Sequence, residues 1–135
     1  MKAALGLMMM CTLLLGAAVW AQTMDEYSGW MKSNATGVAD LNKNLAAKAG
    51  DAAVMDTKML QENMAKVLIY WQRKDISDGV RFAQDTEYGF RDVGLLASQG
   101  KFDEASAALK KTQANCAGCH MAHREKAPDG SFKIK

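Results

Sequence analysis

The only proline of this 135-residue chain is Pro128, so residues 22–127 form one long stretch without the strongest helix breaker. Proline lacks a backbone N–H and clashes with the preceding helical turn, and its absence leaves glycine to mark the ends of elements. Apolar residues in this stretch recur every three or four positions, and no segment shows a sustained alternation of period two. The pattern therefore predicts an all-α domain.

The apolar pattern divides the stretch into four amphipathic helices, at about 24–50, 53–74, 77–100 and 102–120. Thr23 and Glu26 have the spacing of a capping box at the start of the first helix, and Gly100 suits a left-handed stop after the third. Gly89 and Gly94 are expected to weaken the third helix locally. Four such helices with short connections favour an antiparallel, up-down-up-down four-helix bundle.

Near the end of the fourth predicted helix stands the string Cys116-Ala117-Gly118-Cys119-His120, which has the form C-x-x-C-H. This form is typical of covalent attachment of a c-type haem. Two thiols add across the two vinyl groups of one porphyrin, and the adjacent imidazole becomes the proximal iron ligand. On a helix, positions i, i+3 and i+4 share one face, so these three side chains converge on one ring. The string predicts one haem c on Cys116 and Cys119, ligated by His120.

Two other interpretations of these cysteines remain open. With His123, the segment offers two thiolates and two imidazoles, which is a zinc ligand set by composition. Structural zinc sites usually draw their ligands from two separated elements, and four ligands within eight residues close a tetrahedron poorly. The C-x-x-C pair is also the form of a redox dithiol, but that interpretation expects a helix start after a strand. No strand pattern precedes Cys116.

The N-terminus has the pattern of a secretory signal peptide. Lys2 is followed by an apolar run from Ala3 to Val19, and the small residues Val19 and Ala21 favour cleavage after Ala21. Cys11 lies within this run and leaves with it, so the C-x-x-C-H pair is all the cysteine that the mature chain keeps. The prediction is a signal at 1–21, an exported, periplasmic domain at 22–135 and no membrane span after cleavage. An uncleaved anchor is the alternative.

The mature chain is nearly neutral but unevenly charged. Removal of Lys2 changes the formal net charge from +2 to +1, which gives no support for nucleic-acid binding. Residues 22–100 carry nine Lys and Arg against eleven Asp and Glu, whereas residues 101–135 carry seven against four. The basic end is either a docking face for an acidic partner or a solvated face. Residues 125–135 are predicted to be a polar tail with a Pro-Asp-Gly turn, which Phe132 and Ile134 pin to the bundle.

Elimination reduces the set of residues that could be the sixth ligand of the iron. His123 is three residues from His120 on the same helix, so it cannot reach the opposite face of the haem. Met121 is excluded for the same reason. A thioether, a lysine or no protein ligand remains. The thioether candidates of the mature chain are Met24, Met31, Met55, Met59 and Met64, each of which is equally suited to packing in the core.

A C-x-x-C-H string at the end of a four-helix chain, followed by Arg124, resembles the class II cytochromes c, the family of cytochrome c′ and cytochrome c-556. Trp30-Met31-Lys32-Ser33-Asn34 is similar to the M-K-x-N string on the first helix of the c-556 type. The resemblance implies thioether bonds at Cys116 and Cys119, proximal ligation by His120 and distal ligation by Met31. It also implies that Arg124 binds a haem propionate or fixes the helix end, and that two copies pair as a homodimer. The chain departs from the family at Tyr27, where many relatives have arginine, and at His123, where they have an aromatic residue.

Ligation by histidine and methionine fills both axial positions and gives the iron a relatively high reduction potential. The sequence therefore predicts a low-spin, single-electron carrier between periplasmic redox proteins, and not an enzyme. If Met31 only packs, the iron is five-coordinate, and the alternative is a cytochrome c′-like protein that binds nitric oxide or carbon monoxide. A third interpretation is the small haem subunit of a larger redox enzyme.

Overall fold

The computed structural model describes residues 22–135 and consists of four α-helices followed by a short β-hairpin. The helices are α1 (Met24–Ala46), α2 (Gly50–Arg73), α3 (Ser77–Ser98) and α4 (Phe102–His123). The predicted signal peptide at 1–21, with Cys11, lies outside the described residues. Among the described helices, none combines the length and the apolar character that crossing a membrane requires.

The helices begin and end where local backbone chemistry directs them. The capping box is present, because the Thr23 hydroxyl accepts from the Glu26 N–H at 3.2 Å and the Glu26 carboxylate accepts from the Thr23 N–H at 2.7 Å. Each interhelix connection holds one residue in the left-handed region, namely Lys48, Asp75 and Gly100. The predicted stop near Gly50 was three to four residues late. Lys48 makes that turn, and Gly50 opens α2.

The four helices pack around one hydrophobic core. α2 packs against α1 and α3, and α3 packs against α4, whereas α1 touches α4 sparsely. The predicted apolar stripes face this core. Its largest fully buried apolar side chains are Trp71, Phe90, Leu41, Leu45, Leu60, Leu109, Val67 and Val93. The all-helical fold with four helices is therefore confirmed.

Two glycines of α3 have a different role from the one that the sequence suggested. α3 runs without interruption through Gly89 and Gly94, both of which lie at close contacts between helices. A Cβ atom at position 89 would overlap the side chain of Thr112 on α4, and one at position 94 would lie 2.5 Å from the Thr57 hydroxyl on α2. These glycines let three helix backbones approach one another, and this packing offsets their low helix propensity.

The C-terminal tail forms a two-stranded antiparallel hairpin of β1 (Arg124–Lys126) and β2 (Phe132–Ile134). The predicted turn is present: the Asp129 carboxylate accepts from the N–H of Ser131 at 2.9 Å, and Gly130 is left-handed. Strands of three residues are too short for a period-two signal, so the sequence did not show them. Ile134 packs against the core as expected, but Phe132 remains exposed.

Candidate haem site

Cys116, Cys119 and His120 lie on the last two turns of α4 and are all half-buried. They border an apolar space, the inner cavity, of about 330 Å³ between the helices. All four helices contribute to its wall. Its lining includes Met31 and Val38 of α1, Met64 and Val67 of α2, Phe82, Thr86 and Phe90 of α3, and Cys116, Cys119 and His120 of α4.

A second space, the outer cavity, of about 490 Å³, adjoins the first near the open end of α4. Its wall combines α1, the end of α4 and the hairpin, including Lys32, Arg124, Phe132 and Lys133. The two cavities share five lining residues, namely Tyr27, Met31, Ala35, Cys119 and His120. His120 on α4 and Met31 on α1 thus border the same continuous space.

Met31 differs from the other four thioethers that the sequence left open. Met24 accepts from the Tyr70 hydroxyl at 3.1 Å, Met64 from the Asn34 amide at 3.4 Å, and Met59 from the Asn63 amide at 3.2 Å. Met55 is 71 % exposed and lines neither cavity. Within residues 22–135, Met31 is the thioether that lines both cavities and accepts no hydrogen bond.

The thiols of the C-x-x-C pair are held in their protonated form. Burial raises the pKa of both, and the neighbouring Cys116 and Asp78 raise the pKa of Cys119 further, to about 11. The attacking thiol of a redox dithiol needs a lowered pKa. The raised pKa values therefore oppose the dithiol interpretation. They leave both sulfurs protonated, in the form that can add to a vinyl group.

His120 is held in the neutral form that binds a metal. Burial lowers the pKa of its imidazole, and the positive charge of Arg124 lowers it further. Nη1 of Arg124 lies 3.5 Å from Nδ1 of His120. When Nε2 binds a metal, Nδ1 carries the proton, so two donors would face each other there. Ligation through Nε2 therefore favours a guanidinium that turns away from the imidazole.

His123 points to a different part of the molecule from His120. Its Nε2 lies 3.0 Å from Oδ2 of Asp78, and its ring packs on Trp71 with 4.8 Å between centroids. The imidazole of His123 thus makes a ring contact between α4 and α2. Across residues 22–135, no three His, Cys, Asp or Glu side chains form a group that could hold an ion. The zinc interpretation gains no support from this geometry.

Tyr27 is a neutral residue at the position where the resemblance predicts an arginine. Its ring borders both cavities and packs against Tyr70 at 4.5 Å and Trp71 at 6.0 Å between centroids. Burial is the main cause that raises the pKa of its phenol, which stays protonated. On α1, Lys32 is the residue that brings positive charge to the outer cavity.

Several site residues carry no local signal in the sequence. A Cβ atom at position 118 would lie 2.8 Å from the ring of Phe82, so glycine within the C-x-x-C lets α4 approach α3. Asp78 and Trp71 were likewise missed, because their contacts with His123 join segments about fifty residues apart. The acidic first turn of α3 was the available hint for Asp78.

The described residues fit a haem by their chemistry. A haem is amphipathic, with an apolar macrocycle and two carboxylates at one edge. The inner cavity is apolar, the adjacent thiols are protonated, the imidazole is neutral, and the outer cavity carries cations. No protein-family model, curated protein or solved structure matches the chain.

Proposed function

We propose that the protein is a c-type cytochrome that carries single electrons between exported redox proteins. In this proposal one haem is attached to Cys116 and Cys119, with His120 and Met31 as axial ligands. The observation that supports it best is that these four side chains, from opposite ends of the sequence, border one continuous space. The four helices are proposed to run antiparallel, as in the class II cytochromes c that the chain resembles.

The haem would supply a one-electron couple between ferric and ferrous iron. The protein residues would keep the coordination unchanged during transfer: the imidazole of His120 is neutral, and the thioether of Met31 is not engaged by another donor. The apolar wall of the inner cavity would keep water from the ring, which favours the less charged ferrous state. The protein is proposed to be a carrier that transforms no substrate. It would act in the periplasm, with a mature chain that begins at Gln22.

The second candidate is a five-coordinate protein that binds nitric oxide or carbon monoxide. The observation that favours it is the apolar α1 wall beyond Met31, formed by Ala35 and Val38, which suits a small neutral diatomic. If the Met31 thioether does not bind iron, this wall faces an open coordination position. The same residues then exclude anions because they provide no charge.

Covalent attachment and ligation are tested separately. The chain is expressed with its N-terminal segment in a bacterium that attaches haem, and the exported product is extracted with acidic acetone. Wild type should keep its haem and have the mass of residues 22–135 plus one haem, while Cys116→Ala/Cys119→Ala should release it. A wild type without covalent haem would overturn the proposal.

The optical spectrum then separates the two candidates. A low-spin ferric spectrum with a weak long-wavelength sulfur-to-iron band supports the electron carrier if the ferrous spectrum also does not change when carbon monoxide is added. A high-spin spectrum that shifts readily with carbon monoxide supports the gas-binding protein.

A further inference from the structure

The hairpin presents an unusual face to the outer cavity. Cross-strand pairing of Arg124 with Ile134 and of Lys126 with Phe132 puts these four side chains on one face. Ile134 packs against the core, so this face turns toward the bundle. Phe132 nevertheless is 58 % exposed, because the outer cavity lies beside it. A large aromatic ring that is exposed beside a cavity indicates a surface that another group covers.

Three cations surround the outer cavity from three different elements. Lys32 comes from α1, Arg124 from β1 and Lys133 from β2, and no Asp or Glu of the described residues lines the cavity. Lys133 pairs with Glu125 at 3.0 Å on the outer face, whereas neither Lys32 nor Arg124 has a carboxylate at salt-bridge distance among residues 22–135. The guanidinium of Arg124 instead lies 3.5 Å from the Phe132 centroid. This concentration of positive charge favours an anionic group in the cavity.

The charge distribution also gives the ligand a direction. The inner cavity bears Cys116 and apolar side chains, while the cations gather at the outer cavity. An amphipathic ligand bound through the thiols would therefore place its apolar part inside and its acidic edge outside. The phenol of Tyr27 is neutral and supplies no charge to that edge.

We propose that the C-terminal hairpin, together with Lys32, is the carboxylate-binding end of the haem site, with Lys32 and Arg124 binding the two propionates and Phe132 packing on the macrocycle. This inference rests on the proposed haem. It assigns to the hairpin the role that the resemblance assigns to an arginine of the first helix. If His120 binds iron through Nε2, its Nδ1 carries the proton and cannot accept from Arg124, which would leave the guanidinium available to such an acceptor.

The first test measures the reduction potential against pH across the acidic and neutral range, in holoprotein. The groups that face the propionates are Tyr27, Lys32, His123, Arg124 and Lys133, besides Cys119 and His120. In Lys32→Gln and Arg124→Gln, the proton affinity of a propionate should rise about three- to tenfold, so its inflections move to higher pH. Lys126→Gln is the matched control, because Lys126 is a hairpin lysine that lines neither cavity.

Equal titrations in wild type, Lys32→Gln and Arg124→Gln would overturn the hairpin assignment, and so would an equal shift in Lys126→Gln. Covalent haem in all four proteins would leave the proposed function intact in that case. Wild type without covalent haem would overturn the proposed function and this inference together.

The second test locates Phe132 directly. In a diamagnetic ferrous form, either low-spin or its carbon monoxide complex, the ring protons of Phe132 should be displaced by the porphyrin ring current. They should also show nuclear Overhauser contacts with the propionate methylenes. Ring protons at the shifts of a solvated phenylalanine, without such contacts, would overturn the inference. This holds even if the charge variants do not fold.

Discussion

The imidazole Nε2 of His123 lies 3.0 Å from Oδ2 of Asp78, so the end of α4 is joined to the first turn of α3 one turn beyond His120. The same ring packs on Trp71 of α2. One side chain thus ties the proposed proximal ligand's helix to two neighbours, by a polar contact on one side and a ring contact on the other.

The two contacts of His123 can be separated by mutation. His123→Phe keeps the ring on Trp71 and loses the polar contact, and Asp78→Ala removes the same contact from the other side. Because Asp78 is about half exposed, each change is expected to lower the free energy of unfolding by about 0.5–1 kcal/mol. In urea titrations the double variant should cost no more than Asp78→Ala alone, which also removes the bond that the Asp78 carboxylate accepts from the Gly79 N–H. Full additivity of the two losses would mean that the contact contributes nothing.

Gly94 is predicted to be far less replaceable than Gly29, although both lie within helices. Gly94→Ala puts a methyl group 2.5 Å from the Thr57 hydroxyl and should destabilise the protein by about 1–3 kcal/mol. Nothing lies within 4 Å of a Cβ at position 29, so Gly29→Ala should stabilise by up to about 1 kcal/mol. Chemical unfolding measures both. Similar effects of the two changes would contradict the close packing of α2 and α3.

The thiol of Cys119 should react slowly in chain produced without haem attachment. With a pKa of about 11 against 9.0 for a free thiol, its thiolate fraction at pH 8 is about a hundredfold lower, which slows alkylation by iodoacetamide accordingly. An unfolded peptide of residues 114–123 is the reference. Equal rates for the folded chain and the peptide would contradict the raised pKa.

The same pKa predicts how stability depends on pH. The folded haem-free chain binds the Cys119 proton more tightly than the unfolded chain does, so this contribution is complete below pH 9 and is lost as pH rises toward 11. Cys119→Ala should remove that part of the pH dependence. A wild-type profile that is flat over this range would count against burial of the thiol.

If Met31 is the sixth ligand as proposed, Met31→Ala should convert low-spin ferric haem to the high-spin form, because it removes that thioether. Met55→Ala is the control, since Met55 is exposed and lines neither cavity. Optical and paramagnetic resonance spectra report the spin state. An unchanged low-spin spectrum would assign the ligand to another residue, with Met24 and Met64 next in line because each borders one cavity.

What the sequence predicts well is what depends on near neighbours along the chain. The capping box at Thr23, the stop at Gly100 and the four apolar stripes are local patterns, and all are present in the structure. The left-handed turns at Lys48 and Asp75 have no glycine to announce them. Gly94 looked like a weak point because its partner Thr57 is far away in sequence.

The candidate site divides in the same way. The helical spacing of Cys116, Cys119 and His120 was readable from five residues, and it puts them together on α4. The resemblance favours Met31 among five methionines, whereas its position beside both cavities depends on long-range packing. The contributions of Phe82 and Lys133 depend on how α3 and the hairpin fold back onto α4, which no local pattern encodes.

The sparse contact between α1 and α4 bears on how the molecule would be assembled. α1 leaves the ribosome first, but its partner across the cavities is the last helix to be made, and little protein surface joins the two directly. The thiols of α4 therefore lie on the side of the bundle that the fewest contacts hold closed, and opening of that side would expose them for attachment of the proposed haem. If the haem is attached as proposed, we expect attachment to come before the final docking of α1, so that the cofactor forms the fourth interface of the fold.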